Sequence, residues 1–103
     1  MKRVVVLLDE RLDLSAKFRV ALKVLQVEPS PKHPEGIKVS FTLVDAERGC
    51  TRLVIDNHAP FGFHAHTDLP LNKNTRRALK TKDYREALDE FWRLVKEITD
   101  YED

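Results

Sequence analysis

The sequence predicts an α+β fold: a small, mostly antiparallel sheet of about four strands with one C-terminal amphipathic helix packed on a face. Two segments, 18–24 and 37–43, alternate apolar and polar residues at the period of a half-buried strand. A third, from Asp83 to the end, instead repeats its apolar residues at helical spacing. A chain of 103 residues with this content forms one domain, since a second core needs roughly 100 residues more.

The first element, "RVVVLL" (3–8), is β-branched, too short for a helix and bounded by "DERLD", so it reads as a strand buried on both faces. "SAKFRVALKVLQVE" (15–28) sets Phe18, Val20, Leu22 and Val24 against Lys17, Arg19, Ala21 and Lys23. Its Ala, Leu and Lys suit a helix, but the strict alternation and the valines favour a strand. "PSPKHPEG" (29–36) holds three prolines and a glycine, which makes it an exposed loop with a solvated His33. "IKVSFTLVDA" (37–46) turns Ile37, Val39, Phe41 and Leu43 inward, "ERG" turns, and "CTRLVID" (50–56) returns as the second arm of an antiparallel hairpin.

Beyond residue 58 the alternation is lost. "APFGFHAHTDLPLN" and the basic run "KNTRRALKTK" (73–82) both read as loop. The helix that follows carries Tyr84, Ala87, Leu88, Phe91, Val95 and Ile98 on its apolar stripe. Asp83 and Glu86 form a capping box, with Lys82 as an alternative start, and the acidic end "DYED" predicts fraying from Thr99. Trp92 beside the stripe reads as packing, and Cys50 as a small packed residue.

Composition removes several function classes. Eighteen basic and seventeen acidic residues leave a net charge of +1, so bulk charge names no partner. The one cysteine has no internal disulfide partner, and the N-terminal apolar run is too short for a signal peptide or a membrane span. The expectation is a cytoplasmic protein without a membrane partner. The sequence has no internal repeat, Gly-rich phosphate loop, CxxC or GxSxG.

The chemistry concentrates in "IDNHAPFGFHAH" (55–66), which holds three of the four histidines. His64 and His66 share a face if the chain is extended, as do Asp56 and His58. An imidazole oriented by a carboxylate shuttles protons near neutral pH, which makes Asp56, His58, His64 and His66 the candidate catalytic residues. The same donors suit a divalent metal, although their spacing follows no fixed metal motif. A structural alternative has Asp56 and Asn57 capping the loop while the histidines lie against Phe61 and Phe63. Downstream, Lys73, Arg76, Arg77, Lys80 and Lys82 could hold RNA phosphates, or simply form a solvated connection that balances the acidic helix.

With these residues in view, the run "IKVSFTLVDAERGCTRLVIDNHAPFGFHAHTD" resembles the TumE-like family of small proteins from toxin–antitoxin gene pairs. That family's signature is a strand ending in aromatic-Asp-Asn, a short Gly-containing segment and a closing His-x-His. Here Ile55 stands at the aromatic position, while Asp56, Asn57 and His58, then Gly62, then His64 and His66 match. The early strand and the last helix also fall within the resemblance. It implies the toxin component of a type II pair, encoded beside a small helix-turn-helix antitoxin.

The expected function is a toxin-type protein acting on RNA or another phosphate-bearing cellular target. Asp56, His58, His64 and His66 would perform the chemistry, and Asn57, Arg76, Arg77 and Lys80 would hold the substrate; no cofactor is required, though a divalent metal fits the donors. The rival is a non-catalytic interaction module whose sheet edge or histidine face docks a partner or a second copy. A homodimer is expected in either case, because small antiparallel sheets leave edges that pair readily.

Overall fold

The computed structural model describes residues 4–59, 62–69 and 76–102. Its strands run β1 (Val5–Asp13), β2 (Phe18–Gln26), β3 (Ile37–Asp45), β4 (Cys50–Asp56), β5 (His64–Leu69) and β6 (Arg77–Ala78), followed by helix α1 (Tyr84–Glu102). Each strand pairs antiparallel with its neighbour in the chain, giving one six-stranded meander. The α+β class is as expected, with two strands more than predicted. Among the described residues no helix is long and apolar enough to cross a membrane.

One face of the sheet carries the core. Val20, Leu22 and Val24 of β2 register with Leu43, Phe41 and Val39 of β3, Leu43 and Phe41 register in turn with Leu53 and Ile55 of β4, and Phe18 joins the same buried layer. Helix α1 lies over β3 and β4 and adds Ala87, Phe91, Leu94 and Val95, with Tyr84, Leu88, Trp92 and Ile98 packed at the margin. The Phe41 and Phe91 rings meet at 5.7 Å with their planes tilted by 56°, a favoured aromatic geometry. At the helix start, Asp83 Oδ1 accepts the Glu86 N–H at 2.9 Å. Glu86 Oε2 reaches back to the Lys82 N–H at 3.3 Å, one residue earlier than a standard box. The helix runs to Glu102, and the Thr99 hydroxyl donates to the Val95 carbonyl at 2.9 Å.

Three expectations are corrected. Strand β1 is not buried on both faces: every residue but Leu8 is exposed, because it is the outer strand and α1 lies over the centre of the sheet. It also continues through "DERLD", since an edge strand can carry charge on its open side. Residues 64–69 form a strand rather than a loop. Their period-2 pattern is present, but its buried member Ala65, 2% exposed and paired with Ile55, is small and stands between two histidines that read as polar. Strand β6, two residues long, is too short to leave any periodic signal.

The third correction concerns the proline-rich connection between β2 and β3, which is tied down. The Val27 N–H donates to the Gly36 carbonyl at 2.8 Å, and the Gly36 N–H donates to the His33 carbonyl at 3.0 Å. Gly36 has φ +73°, and a Cβ there would lie 2.8 Å from the Val27 carbonyl oxygen, so only glycine fits. The Ala59 N–H donates to the Lys32 carbonyl at 2.7 Å, which fastens this loop to the chain just past β4. His33 is therefore buried at 7% exposure instead of solvated.

Candidate active site

Strand register assembles the histidines. Ile55 and Ala65 pair on the helix-covered face, so the residues beside them, Asp56, His64 and His66, emerge on the opposite face. One row across the sheet reads Lys23, Ser40, Asp56, His64; the next reads Thr42, Val54, His66. His58 follows Asp56 at the point where β4 ends.

Backbone amides hold the carboxylate in place. Asp56 Oδ1 accepts the Asn57 N–H at 2.6 Å and the His58 N–H at 3.2 Å, while Oδ2 lies 3.2 Å from His58 Nδ1. The His58 ring meets His64 edge-on, with centroids 4.7 Å apart and planes at 89°. His64 in turn meets His66 at 5.1 Å and 87°. His64, 1% exposed, donates Nδ1–H to the Gly62 carbonyl at 2.7 Å; because a carbonyl only accepts, the ring proton is on Nδ1 and the lone pair on Nε2. Asp56, His58 and His64 each bring a donor atom within 4.8 Å of the others, so these are the residues that could hold a metal.

Burial lowers the pKa of His66, the neighbouring His64 and the charge of Arg76 lower it further, and Asp56 pulls the other way. Its Nδ1 is buried and meets no hydrogen-bond partner among the described residues. His33 joins the same group. Its pKa is lowered chiefly by burial, then raised in part by Asp56 and lowered again by Lys38, Lys32 and His58. All four histidines of the chain thus sit within electrostatic reach of Asp56.

His33 is the residue that sequence reading missed. The available signal was topological: the β2–β3 and β4–β5 connections of a meander lie at the same end of the sheet. Lys23 and Lys38, both exposed on the histidine side, were also overlooked, since they lie far from the cluster in sequence.

The expected substrate-binding residues separate. Arg76 stands on the histidine side, where His66 feels its charge. Arg77 pairs with Ala65 and faces the helix side, where with Lys80, Glu90 and Arg93 it lines a groove away from the cluster. Asn57 is committed to structure: its Oδ1 accepts the Val39 N–H at 2.9 Å and its Nδ2 donates to the Ile37 carbonyl at 2.8 Å, pinning the start of β3. Of the structural alternative, Asp56 does cap the loop, accepting the Asn57 and His58 N–H groups, and Phe63 packs against the core. Phe61 and Lys73 lie outside the described residues.

The lowered histidine pKa values make stability depend on mildly acidic pH. A neutral imidazole that is harder to protonate folded than unfolded keeps its full contribution above the ordinary value of 6.5, and loses it as pH falls through the folded value. The urea midpoint is therefore expected to fall between pH 7.5 and pH 5.5. His33→Gln should flatten that dependence, as measured by equilibrium unfolding across the range.

Comparison with known protein families, with curated proteins and with solved structures finds no match. The likeness to TumE-like proteins thus stands on the motif residues alone.

Proposed function

We propose that the chain is a toxin-type enzyme that cleaves RNA in the cytoplasm by acid–base chemistry on its histidine face. The observation that carries this reading is the convergence of Asp56, His58 and His64 within 4.8 Å, with the His66 ring edge-on to His64. His66, neutral at pH 7 because burial lowers its pKa, accepts the proton of a ribose 2′-hydroxyl. The 2′-oxygen attacks the adjacent phosphorus, and the departing 5′-oxygen takes a proton from His58. Asp56 orients His58 through Nδ1. His64, buried between the two rings, positions both.

Arg76, with Lys23 and Lys38 on the same face, offsets the phosphate charge. The resemblance to TumE-like proteins supplies the context, a two-gene module in which a helix-turn-helix antitoxin restrains the enzyme. Induction of the wild-type chain in a bacterial host should arrest growth with loss of intact total RNA, whereas His58→Ala, at a partly exposed position, should do neither. Equal growth and intact RNA in both strains would refute the reading.

The rival, an interaction module, draws on one specific feature. Val4, Val5, Val6 and Leu7 are 42–57% exposed along the unpaired edge of β1. An apolar edge of this kind pairs with another strand, and a second copy of the chain offers the same edge antiparallel. Val6→Lys is expected to convert a dimer to a folded monomer in sedimentation analysis; a wild-type monomer would remove this reading.

A further inference from the structure

We propose that Asp56, His58 and His64 bind one divalent transition-metal ion of the zinc class, and that the bound ion silences the acid–base site. The binding stands on the geometry alone, while the silencing rests on the RNA-cleavage reading.

Donors of a tetrahedral ion held at about 2.1 Å lie about 3.4 Å apart. Asp56 Oδ2 and His58 Nδ1, at 3.2 Å, already span such an edge. The widest separation in the trio, within 4.8 Å, closes by a shift of at most about 1.4 Å. The side chains of His58 and Asp56, 27% and 35% exposed, have room to move, whereas His64 is fixed.

Two of the three ligands are already oriented for the task. Donation of Nδ1–H to the Gly62 carbonyl puts the lone pair of His64 on Nε2, the second-sphere arrangement that metal-binding histidines use. Asp56 spends Oδ1 on the two backbone N–H groups and keeps Oδ2 toward His58. Two imidazoles and one carboxylate select zinc, cobalt or nickel over magnesium and calcium, which prefer all-oxygen sites.

Three protein ligands leave an open position, so the ion exchanges with solvent. Lys32 and Lys38 beside His33, and Arg76 beside His66, oppose a second positive charge and hold the affinity below that of a closed four-ligand site. The ion occupies Asp56 Oδ2 and His58 Nδ1 and draws both side chains toward His64, so neither stays placed for the leaving oxygen.

The test is a cobalt(II) titration of the untagged protein, read by visible absorption, alongside zinc titration of RNA cleavage. One equivalent of cobalt should give the intense bands of a tetrahedral site. Cys50→Ser, at the opposite end of β4 from Asp56, should leave them unchanged and so exclude a thiol ligand. His58→Ala and Asp56→Asn, at partly exposed positions that leave the core intact, should each weaken cobalt binding at least tenfold. One equivalent of zinc should reduce RNA cleavage at least tenfold, with recovery on addition of a chelator.

Absent tetrahedral bands, or bands that survive both variants, would overturn the site. Cleavage that proceeds equally with zinc and with chelator would overturn the silencing. Tetrahedral bands lost in both variants, with RNA intact under every condition, would support the metal site while refuting the RNA-cleavage reading.

Discussion

Replacing Phe41 with Ala should cost about 3–5 kcal/mol of folding stability, the range for truncating a buried Phe whose cavity cannot collapse. Phe41 is 0% exposed at the middle of β3, registers with Leu22 on one side and Ile55 on the other, and meets the Phe91 ring at 5.7 Å. It joins sheet to helix. A domain of this size has about 5–15 kcal/mol in total, so the variant should sit at the edge of unfolding in urea. Lys23→Ala, on the exposed histidine side of β2, should change stability by about 0.5 kcal/mol or less.

The second large effect is chemical. Asp56→Asn should lower RNA cleavage by about 10²–10⁴-fold with the fold retained. Asn can keep its carbonyl oxygen on the Asn57 and His58 N–H groups, as Asp56 Oδ1 does now. Its amide nitrogen then stands where Oδ2 faces His58 Nδ1, so a donor meets a donor. The imidazolium loses its carboxylate, and the ring turns away or adopts the wrong tautomer. A single-turnover cleavage assay with circular dichroism on the same samples separates this loss from unfolding.

What could be read in advance followed the strength of each periodic signal. Phe18, Val20, Leu22 and Val24, and again Val39, Phe41 and Leu43, alternate cleanly and are buried as that pattern requires. The helix stripe and its Asp83 cap were equally plain. Strand β5 escaped notice because histidines occupy its outward positions and the small Ala65 its inward one. For β1 the composition misled: its valines and leucines resemble an interior strand, yet chain order places it at the edge.

The candidate site was legible as a set of residue types but not as a geometry. Asp56, His58, His64 and His66 were visible from local spacing, whereas their contacts depend on the β4–β5 register that sets Asp56 opposite His64. His33 joins through a loop pinned at Ala59, an interaction over long sequence distance that no local pattern encodes. Arg76 and Arg77 are adjacent in sequence and part company because successive strand residues face opposite ways. Asn57, polar and beside the catalytic candidates, uses its amide to complete backbone pairing at the start of β3, a partner 18–20 residues away that local spacing does not indicate.

Acid–base cleavage of RNA by the Asp56–His58–His64–His66 face is tested most directly with purified chain and a defined oligoribonucleotide in the presence of chelator. The expected result is cleavage that leaves a 2′,3′-cyclic phosphate, stops when the 2′-hydroxyl at the cut is replaced by hydrogen, and falls at least a hundredfold in Asp56→Asn. An oligoribonucleotide left intact by folded wild-type protein, or cut equally well by the Asp56→Asn variant, would contradict it.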